Sequence, residues 1–360
     1  MSKRVDLVFE GGGAKGVALS GALAALVERG FSPGRLVGTS AGAITATNVS
    51  IGYSALEMRD GSLEKLPNGK SVYTSFSDGA PTLSDTELLS TELGQALGRL
   101  PMPFVHDKAA LLVLRTLDKV PGLRSVLALA EQGGLHKGDA FLAWMQRMFK
   151  DKGLDPGMTF AQHHALTGVD LSHVVTDTTA QCMCVFNHRT TPLLPVVWGV
   201  RMSMSIPMFW REVIWRSEWG SYMGQDISGH AMVDGGVVSN FALRLFSEPG
   251  NEEVVAWMGS GHVPARVLGL YLDASLPMAE YLVPEHRGLH SPLMARIDTL
   301  IDTMMNASDN SAIHTHPELV CRLPVKGVGS TQFDLPDAGY KALYDSAHTA
   351  MLTYLDEGAK

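Results

Sequence analysis

Val5-Asp6-Leu7-Val8-Phe9-Glu10-Gly11-Gly12-Gly13-Ala14-Lys15-Gly16, followed one helix later by Leu36-Val37-Gly38-Thr39-Ser40-Ala41-Gly42, is the part of the chain whose reading decides the fold. Each half begins with a short apolar run that reads as a strand. A glycine-bearing turn follows, and then an apolar stretch with helical spacing. Between the halves, Val17–Arg29 reads as a helix with Leu19, Leu23, Leu26 and Val27 on one face, and Gly30 sits where a C-terminal glycine cap belongs. Leu36–Val37 reads as a short second strand and Ala41–Ser50 as a second helix built from small residues. A β-α-β-α order with short turns predicts an α/β fold whose central sheet is mostly parallel, with right-handed crossovers.

Further along, residues 52 to 110 lose this rhythm to clusters of Gly, Pro, Ser and Asp, and read as an insertion or cap. The stretch Lys108–Arg124 interleaves basic and apolar residues and reads as a cap helix or an interfacial segment. A helix is expected over Asp139–Phe149. Strands are expected over Leu171–Thr178 and Cys182–Asn187, joined by a tight turn, and over Ala231–Val233 and Val267–Leu272. Helices at 292–306 and 338–355 close the chain.

Composition narrows the function. The 37 acidic residues outnumber the 29 basic ones, which argues against nucleic acid as the main partner. The three cysteines, Cys182, Cys184 and Cys321, are too few and too odd in number for a disulfide framework. The first apolar run is short, contains Asp6 and meets a triple glycine instead of a cleavage site, so it reads as a strand and not a secretory leader. No apolar run reaches spanning length. The expected location is cytoplasmic, at most peripheral at a membrane, with export as an effector left open.

Gly38-Thr39-Ser40-Ala41-Gly42 is a Gly-x-Ser-x-Gly pattern, of which roughly 0.3 chance matches are expected in a chain this rich in glycine. A second match is present, Gly30-Phe31-Ser32-Pro33-Gly34. In a nucleophile elbow the residue after the serine donates its N–H to the oxyanion and starts a helix. Pro33 has no N–H and Ala41 has one, so Ser40 is the candidate nucleophile and Ser32 a turn residue. Serine is also a preferred helix N-cap, and the two roles are compatible. Gly11-x-Gly13-x-x-Gly16 matches a dinucleotide fingerprint, but no acid stands at the end of the second strand to meet a ribose. A phosphate loop fails as well, since no Ser or Thr follows Lys15. Read as an oxyanion hole, the N–H groups of Gly11, Gly12 and Gly13 converge with that of Ala41, and Lys15 is either a head-group contact or a solvated loop residue.

Two bases remain open from the residues alone. Asp234, in Met232-Val233-Asp234-Gly235-Gly236, ends an apolar strand at the edge where open α/β sheets bind ligands; as a base for serine it needs a raised pKa. The rival is a Ser-Asp-His triad with His262, His286 or His290. His163-His164 and His314-x-His316 lack acidic or cysteine partners at ligand spacing and read as surface or capping residues, and Cys182-x-Cys184 as core. Met202, Met204, Met208, Phe209, Trp210, Trp215 and Trp219 read as core or as the lining of an acyl channel.

Taken together, Gly11–Gly16, Gly38–Gly42, Val200-Arg201-Met202-Ser203-Met204-Ser205-Ile206-Pro207 and Asp234–Gly236 resemble, in order, the motifs of the patatin-like phospholipases. The matching blocks run over residues 5–55 and about 170–245. The resemblance implies a single domain over 1–360, a three-layer α/β/α sandwich with a helical cap or lid at about 52–135. It also implies a Ser40–Asp234 dyad without histidine. The implied activity is calcium-independent hydrolysis, with no cofactor, of the acyl esters of phospholipids or lysophospholipids. Members of that family also act on neutral lipid or need an activating factor or small molecule, so both stay open here.

Overall fold

The computed structural model describes residues 3–80, 84–99, 106–119, 121–260, 266–278, 281, 296, 299–304 and 310–357. Its strands are β1 (Lys3–Phe9), β2 (Phe31–Thr39), β3 (Gly134–His136), β4 (Leu171–Asp177), β5 (Cys182–Phe186), β6 (Met208–Trp210), β7 (Val213–Ile214), β8 (Ala231–Asp234), β9 (Arg266–Asp273) and β10 (Val320–Pro324). The main sheet runs β10-β9-β1-β2-β4-β8-β7, with β5 also on β4, while β3 and β6 form a separate parallel pair. From β10 to β4 all neighbours are parallel; β5, β8 and β7 are antiparallel additions.

The central strand β1 is buried on both faces, as parallel strands under two helical layers must be. Val5, Leu7 and Phe9 face a core shared with α1 (Val17–Glu28) and the C-terminal helix Asp337–Glu357. Val8 faces the other way, onto Val37, Val174 and the short helices Arg244–Ser247 and Glu252–Met258. The result is the three-layer α/β/α sandwich, with a mostly parallel central sheet.

The second strand is longer than the sequence indicated and includes Ser32, which pairs with Arg4 and is no turn residue. Pro33 is accommodated because the β1–β2 register shifts between Val5 and Leu7. There the buried Asp6 carboxylate stands in for a strand partner, accepting the Arg35 backbone N–H at 2.7 Å and its Nε–H at 2.8 Å. Val27 is exposed, so the apolar face of α1 is Leu19, Leu23 and Leu26 without it. Cys182, at the start of β5, is exposed rather than core; all three cysteines are free. The helix expected at 292–306 falls largely outside the described residues, of which 299–304 are helical.

Residues 55–132 carry the helices Ala55–Ser62, Asp85–Ser90, Glu92–Gly98, His106–Asp118 and Pro121–Gln132. Leu88 and Leu114 form a small core of their own here, while Leu112 is 69% exposed. None of the described helices is long and apolar enough to cross a membrane.

The strand register places the site. Phe9 pairs with Gly38, so the turns after β1 and β2 leave the sheet side by side. β2 lies along β4 up to the pair Thr39–Val174. β5 occupies one edge of β4 over residues 173–177, so β8, pairing at 175–177, must share the edge used by β2. It runs the opposite way and ends with Asp234 opposite Val175. Two strands therefore meet end to end on one edge, with Ser40 following one and Asp234 closing the other.

Packing of the outer layer yields a test. Gly21 lets α1 touch the C-terminal helix backbone to backbone: a Cβ there would stand 2.1 Å from the Tyr344 carbonyl oxygen. Alanine is favoured over glycine in a helix by about 1 kcal/mol, yet Gly21→Ala should destabilise the protein by ~1–3 kcal/mol through overpacking. Chemical denaturation followed by circular dichroism measures it; a variant as stable as the parent would refute this account of the contact.

Candidate active site

Ser40 caps α2 (Ala41–Ser50) with φ 53° and ψ −120°, a strained conformation for a residue with a Cβ. Its side chain makes no capping bond, so the hydroxyl is not engaged by its own helix. The backbone holds the strain in place. The Ser40 N–H donates to Ser203 Oγ at 2.9 Å, and that hydroxyl donates to the Val174 carbonyl at 2.7 Å.

Asp234 is fully buried. Its Oδ1 accepts the Gly236 N–H at 2.8 Å and its backbone N–H donates to the Ser205 carbonyl at 2.9 Å, while Oδ2 has no hydrogen-bond donor of normal geometry. Burial pushes its carboxyl pKa up to about 7, against smaller lowering effects of the Ser40 hydroxyl and the Gly236 N–H. Burial thus supplies the raised basicity that a serine-activating carboxylate requires.

The glycine loop is fixed from beneath. Glu10 is buried; its carboxylate accepts Asn240 Nδ2–H at 3.2 Å and also the Leu272 N–H. Asn240 Nδ2 donates as well to the Gly11 carbonyl at 3.1 Å. The Gly11 N–H itself donates to the Asn240 carbonyl at 3.0 Å, which removes Gly11 from the expected donor set. At Gly13 φ is +54° and a Cβ would lie 1.9 Å from the Ser330 carbonyl oxygen, so only glycine fits. No acceptor among the described residues takes the N–H of Gly12, Gly13 or Ala41. Lys15 is 5% exposed and lies off the wall of the cavity beside Ser40, which leaves neither a solvated lysine nor a cavity-facing contact.

The segment Val200–Pro207, which in the sequence stands out only by its resemblance, is the clamp of the site. Ser203 holds the Ser40 backbone and Ser205 the Asp234 backbone, two residues apart where the helix Val196–Ser203 ends. The Arg201 guanidinium, fully buried, donates to Ser205 Oγ and to the Lys137 carbonyl at 2.7 Å; burial lowers its pKa to about 10. Neither Ser203 nor Glu10 nor Asn240 carries a local sequence signal, since each acts on a partner far along the chain.

Ser40 opens onto a cavity, partly open to solvent, walled mostly by apolar side chains such as Ile44, Met58, Phe76, Phe141, Ile206 and Trp210. Of the methionine and tryptophan stretch, Met204 and Trp210 reach this wall, whereas Met202, Trp215 and Trp219 are buried in the core. No described residue of the wall is a histidine. His163 is buried behind α2, bonded to Ser50 Oγ at 2.9 Å, with its pKa lowered by burial to about 4, so it is no surface residue. His262, His286 and His290 lie outside the described residues.

The buried carboxyl has a consequence for stability. Its folded pKa of about 7 lies above the ordinary 3.8, so the folded state holds a proton that the unfolded state releases between those values. Stability therefore falls as pH rises through that window. Asp234→Asn keeps an acceptor for the Gly236 N–H without the charge. Its melting temperature should exceed the parent's at pH 8, with the gap closing toward pH 4; a lower melting temperature at pH 8 contradicts the burial argument.

The Patatin-like phospholipase family model matches residues 7–247. The uncharacterized protein YqhO of Bacillus subtilis (strain 168) is 29% identical over 257 residues, 70% of this chain and 69% of its own. VipD from Legionella pneumophila aligns over 99% of this chain and 67% of its own, with 16% identity and a TM-score of 0.47. ExoU of Pseudomonas aeruginosa, in its complex with SpcU, aligns over 99% and 52%, with 17% identity and a TM-score of 0.40. This chain thus spans about half of ExoU, and likenesses that loose carry no functional argument. The family match covers the glycine loop, Ser40 and Asp234 alike: the chain belongs to the patatin-like phospholipases, a family of lipid hydrolases.

Proposed function

We propose that the protein hydrolyses the carboxylic esters of phospholipids or lysophospholipids through a Ser40–Asp234 dyad. One observation carries the reading. A strained serine and a buried carboxylate of raised pKa meet end to end on β4, beside unengaged backbone N–H groups and an apolar cavity.

Ser40 Oγ attacks the ester carbonyl carbon while its proton passes to Asp234 Oδ2, the oxygen without a donor. The oxyanion is held by the N–H groups of Gly12, Gly13 and Ala41, and the N-terminus of α2 favours the developing charge. The C–O bond to the alcohol breaks, and the leaving alkoxide takes the proton from Asp234. Water then attacks the acyl-enzyme, gives its proton to Asp234, and the fatty acid departs as Ser40 recovers its proton. Asp234 alternates between base and acid, for which a pKa near the working pH is suited. None of these steps uses a metal. Residues 52–135 contribute Met58, Tyr73 and Phe76 to the cavity, and we read them as a lid within a single domain over 1–360.

Fatty acid release from phosphatidylcholine vesicles and lysophosphatidylcholine micelles tests the reading. Ser40→Ala and Asp234→Asn should each lower kcat by about a thousandfold or more. For the parent, kcat/KM should fall as pH drops below about 7, as the base takes up a proton. Chelator should leave the rate unchanged. Turnover by Asp234→Asn at the parent rate would eliminate the dyad.

A further inference from the structure

An acyl chain needs only apolar walls, yet this cavity holds two buried polar groups without partners. Asn48 and Trp144 both line it and are 4% and 7% exposed; Asn48 Oδ1 and Trp144 Nε1 have no hydrogen-bond partner among the described residues. Three other polar side chains of the wall are engaged. Ser20 Oγ donates to the Val17 carbonyl at 2.6 Å, Thr45 Oγ1 to the Ala41 carbonyl at 3.1 Å and the Trp210 indole N–H to the Phe76 carbonyl at 3.0 Å. An unmade hydrogen bond on a buried group is costly, so an acceptor and a donor left open in an apolar cavity point to a ligand that supplies both counterparts.

Their placement says where on the ligand. On α2, Ala41, Ile44, Thr45 and Asn48 share the face that lines the cavity, and Asn48 stands eight residues beyond Ser40, about 12 Å along the helix. The Trp144 ring is held edge-on by Tyr73, at 6.0 Å and 83°, and by Phe76, at 5.5 Å and 61°, so the indole is not free to turn toward another acceptor. With the ester carbonyl at Ser40, Asn48 lies well down an acyl chain that follows α2.

Resting on the lipid-hydrolase reading above, we infer that the cavity selects acyl chains bearing a hydroxyl or similar oxygen function in mid-chain. The hydroxyl oxygen accepts from Trp144 Nε1–H and its proton is donated to the Asn48 side chain. A plain chain leaves both groups unpaired, and a site built to bond a hydroxyl discriminates against the analogue that lacks it.

Lysophosphatidylcholine carrying a ricinoleoyl or an oleoyl chain, which differ in one mid-chain hydroxyl, provides the probe. The parent should show a kcat/KM ratio of roughly tenfold or more in favour of ricinoleoyl. Asn48→Leu and Trp144→Phe should each bring that ratio toward one, whatever their absolute rates. A second measurement stands apart from turnover: Ser40→Ala protein titrated with free ricinoleate and oleate, followed by tryptophan fluorescence, should bind ricinoleate more tightly by a similar factor. If neither ester is cleaved but the binding preference holds, the hydrolase reading falls and the inference stands. Equal hydrolysis and equal binding of the two chains overturn it, meaning that ordered water serves the pair. A preference that survives both substitutions also overturns it.

Discussion

The site depends on two strands of opposite direction ending against each other on one edge of β4. β2 runs up that edge to Thr39, opposite Val174, and β8 runs down it to Asp234, opposite Val175. Because β5 holds the other edge, neither strand has an alternative place. Ser40, directly after the Thr39 rung, and Asp234, on the next rung, are thereby set side by side, although nearly two hundred residues separate them in the chain. Backbone pairing, which is rigid and cooperative, does the positioning that side-chain contacts alone would do loosely.

The same arrangement accounts for the electrostatics. A strand end in the middle of a sheet is covered by both helical layers, so a carboxylate placed there is stripped of water. Asp234 keeps the Gly236 N–H and the Ser40 hydroxyl beside it, with no cationic partner among the described residues, and burial wins over these weak stabilising contacts to raise its pKa. The turn after Arg201 then joins the two halves, since Ser203 and Ser205 each bind the backbone of one partner. Arg201 is itself a buried charge held by carbonyl and hydroxyl oxygens, and it anchors this turn to the Lys137 carbonyl. The cost of strain at Ser40 and of an unsolvated carboxyl at Asp234 is borne by the surrounding hydrogen bonds, as functional sites commonly require.

In the sequence, the apolar strand that Asp234 closes reads as one more strand of a parallel sheet, at whose carboxyl edge ligands bind. In the structure β8 is antiparallel to its neighbour and arrives from the opposite side. The residue is legible because an acid closing an apolar strand before two glycines marks a tight turn; the strand's direction is not, because a three-residue apolar run carries no information about its partner. Pro33 misled in the other direction. It marks a turn by local rules, but a bulge and the Asp6 side chain admit it into β2. Gly11 lost its predicted role because Asn240, distant in sequence, takes its N–H.

By itself, the amino-acid sequence determined the alternation of strands and helices at the N-terminus, Ser40 and not Ser32 as the candidate nucleophile, and the glycine loop as a set of bare N–H groups. These rest on properties local to a few residues: apolar periodicity, the missing N–H of proline and the missing side chain of glycine. Only the tertiary structure decided which N–H groups remain unengaged, that Asp234 is dehydrated, that Arg201 to Ser205 clamp the pair, and that Asn48 and Trp144 stand unpartnered in the cavity. Those facts depend on which distant groups come to share a buried space, and burial is a property of the packed chain and not of any segment of it.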